Sequence, residues 1–102
     1  MENNELKLKV ITNHLTVYPN PFSNLTTIEF SLSELEQVAL KVFNQQGQLV
    51  NKLIDSQLEP GKHQRLWDGS AFGGTKLPAG IYFIRLRVGK KWITEKVSLV
   101  RD

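Results

Sequence analysis

Along this chain, every run with a regular spacing of apolar and polar residues repeats every second position. In "TTIEFSL" (26–32), Ile28, Phe30 and Leu32 share one side. "QVALKVF" (37–43) turns Val38, Leu40 and Val42 inward and Lys41 outward, and "QLVNKLI" (48–54) offers Val50 and Ile54 to the matching side. "GIYFIRLRV" (80–88) sets Tyr82, Ile84, Leu86 and Val88 against Ile81, Phe83, Arg85 and Arg87. "WITEKVSLV" (92–100) follows, "HQRLW" (63–67) is short and mixed, and "LKLKVI" (6–11) and "HLTVY" (14–18) supply one or two strands at the start. Period two, with β-branched and aromatic residues in the apolar places, is the signature of half-buried strands. No segment of helical length carries a clean helical stripe.

Turn signals separate these runs. Asn44-Gln45-Gln46-Gly47 has glycine where a type I turn with a G1 bulge needs a left-handed residue, a register that pairs Val42 with Val50. Glu59-Pro60-Gly61-Lys62 reads as a type II turn and Gly89-Lys90 as a two-residue hairpin loop. That hairpin sets Ile84 opposite Glu95, which calls for a bulge or an exposed strand end there. "DGSAFGGTKLPAG" (68–80) is the longest loop. Tyr18-Pro19-Asn20-Pro21-Phe22 has two residues without an N–H and with fixed φ, so it reads as a stiff extended elbow. The pattern predicts an all-β chain: an antiparallel β-sandwich of about seven strands, immunoglobulin-like in architecture.

Composition narrows the function classes. The chain has 102 residues and 40% apolar content, ordinary for one globular domain. It has no cysteine, which excludes a disulfide framework and a thiol nucleophile. No apolar run reaches the roughly 20 residues of a membrane helix. The start, "MENNELKLKVITN", is polar and acidic where a secretory signal is basic and then apolar. The expectation is therefore either a cytosolic protein or a piece of a longer exported one. Of the net charge of +3, all the excess lies in residues 85–102, with six Lys/Arg against Glu95 and Asp102. Lysines that blunt a sheet edge account for much of this.

Candidate chemistry is sparse. His14 and His63 lie among strand residues with no nucleophile or orienting acid beside them, so both read as ordinary strand or surface histidines. Asp55, Glu59 and Asp68 lie near loops without the ligand spacing of a calcium loop, and Asp68-Gly69 reads as turn chemistry. No cofactor or metal is expected. Nucleic-acid binding is not expected either, because the basic surplus is small and no motif places it. Phe22, Phe30, Trp67 and Tyr82 fall where a sandwich core uses them. Phe43 and Trp92 fall on the other face, with Arg87 across from Trp92, an arrangement suited to a cation–π pair.

The order of the motifs carries a resemblance. Tyr18-Pro19-Asn20-Pro21-Phe22, "TTIEFSL", "VALKVFNQQGQLV", "LEPGKHQRLWDG", "LPAGIYFIRLRVG" and "EKVSLV" together resemble the type A C-terminal sorting domain of the bacterial type IX secretion system, found in the Bacteroidetes. The resemblance covers residues 16–102 and leaves 1–15 as linker and a candidate first strand. It implies a non-catalytic sandwich at the end of a larger exported protein. The implied partners are the outer-membrane machinery, a sortase-like peptidase that cuts the domain off, and the N-terminal cargo, and the implied destination is the cell surface or the medium. The elbow Tyr18–Phe22 is then where the chain enters the domain. The signal itself is carried onto Gly80, Tyr82, Gly89, Lys96 and Val97-Ser98-Leu99-Val100-Arg101, with Arg85, Arg87, Lys91 and Lys96 as contact charges. Turn need for the glycines and core packing for Tyr82 are the plain readings beside this. Edge strands also offer weak self-association. Two other readings remain open: a carbohydrate- or wall-binding sandwich using Trp92, Phe43 and the Phe72 loop, and the related sandwich of flagellar-hook capping proteins.

Overall fold

The computed structural model describes residues 14–101, and the 6–11 run lies outside them. Seven strands follow one another: β1 (Leu15–Tyr18), β2 (Thr26–Leu32), β3 (Glu36–Phe43), β4 (Leu49–Leu58), β5 (Gly61–Trp67), β6 (Gly80–Val88) and β7 (Lys91–Leu99). One 3-10 turn, Phe72–Gly74, interrupts the loop before β6. The strands form two sheets, ordered β1-β2-β5 and β4-β3-β6-β7, with every strand pair antiparallel. This is the expected sandwich.

The period-two rows meet between the sheets. Ile28, Val38, Leu40, Val42, Ile84 and Val97 are fully buried, and Phe30, Trp67, Leu86 and Leu99 nearly so. Each burial of such a side chain stabilises the fold by about 1.5–3 kcal/mol before the entropy of ordering is set against it. The edge strand β7 shows the limit of this logic. Ile84 is paired with Glu95 with no shift of register, as the hairpin spacing predicts. Neither a bulge nor a strand end accounts for it: Ile84 is fully buried, while Glu95, in the middle of the outermost strand, stays in solvent.

Two expectations are corrected. The Gly47 turn forms as predicted, with φ of 84° and Phe43 opposite Leu49. Yet Val42 is paired with Asn51, not Val50, because β4 carries an extra residue at Val50 and another at Leu53. Bulges twist and bend an edge strand, and here they let both extra side chains lie against the core while disrupting a long exposed ladder. The second correction concerns the elbow. It does not stand at the doorway of the domain, because β1 precedes it and is already paired with β2; the elbow is a corner inside the sandwich. Pro60-Gly61 links β4 in one sheet to β5 in the other, with Gly61 at a φ of 124°.

Candidate functional site

The elbow and the last strand, far apart in sequence, form one hydrogen-bonded unit. Pro19 and Pro21, both following cis peptide bonds, have no N–H to offer a ladder. The Asn20 side chain takes over. Its Nδ2 donates to the Lys96 carbonyl at 2.8 Å, and its Oδ1 accepts the Ser98 N–H at 2.9 Å. A carboxamide carries the same donor–acceptor pair as a peptide unit, so Asn20 pairs with β7 as a strand residue does. Phe22 continues the pairing through its backbone: its N–H donates to Ser98 O at 3.0 Å, and Val100 N–H donates to Phe22 O at 2.9 Å. Thr26, buried beneath, donates its hydroxyl to Pro19 O at 2.8 Å and holds the corner in place.

The Trp-Asp-Gly turn grips the same end of the chain. Phe22, Trp67 and Tyr82 stack in sequence, with centroids 5.4 Å and 5.8 Å apart and the second pair edge-on. Both polar tips are satisfied: Trp67 Nε1 donates to Ser70 O at 2.9 Å, and the Tyr82 hydroxyl donates to Pro78 O at 2.6 Å. Burial raises the Tyr82 pKa and keeps that hydroxyl a donor. Asp68 Oδ1 accepts from Ser70 N at 3.1 Å and Oγ at 2.6 Å, the Asx-turn chemistry expected. Gly69 follows at φ 80°, where a Cβ would stand 3.1 Å from a Leu99 methyl and 3.1 Å from Arg101 Nη2. Arg101 closes the arrangement by donating from Nε to Leu77 O at 3.0 Å and from Nη2 to Gly69 O at 3.2 Å.

The residues that the resemblance picked out are therefore divided among three places. Gly80 (opposite Leu99), Tyr82, Val97, Leu99 and Arg101 gather with the elbow at the clamped end. Gly89 and Lys91 lie at the far hairpin, where Gly89 takes φ 60° and donates to Gln37 O at 3.1 Å. Arg85, Arg87 and Lys96 face outward on the larger sheet. There the Arg85 guanidinium lies 4.3 Å over Trp92 and 5.9 Å from Phe43, while Arg87 is 5.4 Å from Trp92. The expected Arg87–Trp92 pair is present, with Arg85 as its closer member. Phe72 is not brought to Trp92: its loop precedes β6, whereas Trp92 is paired near the end of that strand, about 20 Å along it. His63 stacks on Phe30 at 5.5 Å and bonds Glu59 O through Nε2, whereas His14 is exposed. Among the described residues no cluster of three metal-binding side chains forms.

The family model of the secretion system C-terminal sorting domain matches residues 16–100. The chain belongs to that family. The curated proteins give no match. Among solved structures, the sorting domain superposes on part of dimeric latent PorU from Porphyromonas gingivalis with a TM-score of 0.72 at 20% identity, covering 86% of this chain and 9% of PorU. PorZ, described as an essential surface component of the type IX secretion system of the same organism, gives 0.61 at 20% identity over 85% of this chain and 11% of PorZ. FlgD from P. aeruginosa gives 0.58 at 20% identity, covering 82% of this chain and 69% of FlgD. At such identities the likeness is one of fold, and the sorting domain spans only about a tenth of PorU or PorZ.

Three features of the sorting domain escaped the sequence reading. The two hydrogen bonds of the Asn20 side chain to β7 were invisible because their partners are 76 and 78 positions away. Gly69 had a turn reason, but its close approach to Leu99 exists only once the last strand is in place. Lys41 reads from the sequence only as an outward-facing residue, yet pairing sets it between Lys52 and Arg85. Outward-pointing lysines on neighbouring strand segments were the one signal that could have found that row.

Proposed function

We propose that this sorting domain is the address by which a larger cargo protein, joined at its N-terminal side, crosses the outer membrane through the type IX machinery. Family membership states the coarse role, a C-terminal signal on proteins sent to the cell surface. The finer reading is that the machinery inspects the folded sandwich and not a linear tail. The observation behind it is the clamp: the Asn20 elbow and the Lys96–Val100 segment, both hallmarks of the family resemblance, are one hydrogen-bonded surface. A partner that touches β7 at this end meets the elbow too. In this reading a sortase-like peptidase then removes the domain upstream of β1, and the cargo is attached to a surface anchor or released. Gly80, Tyr82, Val97, Leu99 and Arg101 shape the recognised end; Arg85, Arg87, Lys91 and Lys96 supply charge, and Gly89 sets the hairpin.

The test is a reporter carrying an inner-membrane signal peptide at one end and this domain at the other, expressed in a host that has the machinery. The expected result is reporter at the surface or in the medium, shortened by the mass of the domain. A reporter held in the periplasm overturns the sorting role; a surface reporter that keeps the domain overturns only the cleavage step.

A further inference from the structure

Strand pairing assembles a row of like charges that no sequence segment contains. Lys41 on β3 is directly opposite Lys52 on β4 and directly opposite Arg85 on β6. Side chains so placed are about 5 Å apart, and like charges in that position destabilise a sheet. Lys52 is partly relieved by Asp55 at 3.2 Å. Lys41 has no ion pair or side-chain hydrogen bond among the described residues. Arg87 and Lys96 project from the same face, so among the described residues five cations share it with one carboxylate, that of Asp55. The outer face of β1-β2-β5 differs, because Lys62 and Glu29 there pair at 3.0 Å.

The Arg85 guanidinium carbon lies 4.3 Å over the Trp92 ring and 5.9 Å from the Phe43 ring, so two aromatic side chains position its charge on this face. A stacked guanidinium keeps its fork of donors for a carboxylate. A shallow trough lined by Phe43, Phe83, Arg85 and Thr94 runs beside it. Across three strands the row spans roughly 10 Å, the length of about three extended residues.

We propose that the outer face of β4-β3-β6-β7, centred on Lys52, Lys41 and Arg85, docks an acidic peptide segment of a protein partner through its carboxylates. This rests on the sorting reading and deepens it, naming the chemistry of the partner that meets β7. The partner's acidic side chains neutralise a repulsion that the free domain bears.

The experiment titrates the full chain with fluorescein-labelled poly-L-glutamate, and in parallel with alginate, a carboxylated glycan, by anisotropy at low and physiological salt. Expected are preference for polyglutamate and loss of binding as salt rises. In the Lys41→Gln/Arg85→Gln variant binding weakens by about fivefold to tenfold, the scale of two solvent-exposed ion pairs. Lys41→Gln alone keeps or raises the melting temperature while weakening binding, a pairing that a merely structural lysine does not produce. No polyglutamate binding, equal or tighter alginate binding, or a lowered melting temperature in Lys41→Gln overturns the docking face. The reporter export assay separates the two readings: export without polyglutamate binding removes this proposal and leaves sorting standing, and binding without export does the reverse.

Discussion

Asn20 and Ser98 are joined across 78 positions by a 2.9 Å hydrogen bond, while the other half of the same carboxamide donates to Lys96 O at 2.8 Å. One side chain thus does the pairing that two flanking prolines forbid to the backbone. Asn20→Ala is expected to destabilise the domain by about 1–2 kcal/mol, the usual worth of one or two such bonds. Urea melts measure the loss, and hydrogen exchange should show the Ser98 amide opening ahead of the core. Asn20→Asp, which keeps the acceptor for Ser98 but sets a carboxylate oxygen against the Lys96 carbonyl, should cost at least as much.

Gly69 and Gly73 have nearly the same φ, 80° and 78°, but a Cβ at Gly69 meets Leu99 and Arg101 whereas one at Gly73 meets nothing within 4 Å. Gly73→Ala should cost only the left-handed conformation, about 1 kcal/mol. Gly69→Ala should cost more, and Leu99→Val introduced with it should recover part of the difference. A double-mutant cycle by thermal melts reads this coupling directly. Equal costs at the two glycines would show that the last strand does not press on the turn.

The two tryptophans should behave oppositely. Trp67 is 1% exposed between Phe22 and Tyr82, so Trp67→Ala is expected to cost about 3–5 kcal/mol and to unfold much of the population at 37 °C. Trp92 is 45% exposed and supports Arg85 from outside, so Trp92→Ala should cost no more than about 1 kcal/mol. Circular dichroism melts of the two variants decide the matter.

Glu29 links three strands by accepting from the Tyr18 hydroxyl at 2.6 Å, from Lys62 at 3.0 Å and from Gln64 at 3.2 Å. These donors, Tyr18 foremost, lower its pKa from 4.5 to about 2. A carboxyl depressed in the folded state adds stability above its unfolded pKa and loses it as pH falls toward the folded one. The domain should therefore weaken as pH drops from 4.5 to about 2, and Glu29→Gln should flatten that part of the profile. Carboxyl NMR titration of Glu29 gives the value itself; a midpoint near 4.5 would show that the cluster does not hold in solution.

How far this domain could be read in advance varied with the range of the interaction. The strands 26–32 and 80–88 have the predicted bounds, and the hairpin at Gly89-Lys90 has the predicted register, because alternation and a tight turn act between near neighbours. β4 runs from Leu49 to Leu58, longer than predicted, and its bulges shift Val42 onto Asn51. Nothing local to β4 requires those bulges; they come from fitting an edge strand to a twisted sheet. The elbow was legible as stiff but not as a clamp, since stiffness is a property of Pro19 and Pro21 themselves and clamping needs β7.

The amino-acid order alone determined an all-strand sandwich, its principal core residues and its family motifs, since side-chain alternation, proline and glycine constrain φ, ψ and facing within a few residues. Only the tertiary structure decided that Asn20 closes on Ser98, that Gly69 receives Leu99, and that Lys52, Lys41 and Arg85 line up in one row. Each of those depends on which strands become neighbours. That is settled by the burial of two whole sheet faces at once, a sum over the entire chain that no single segment carries.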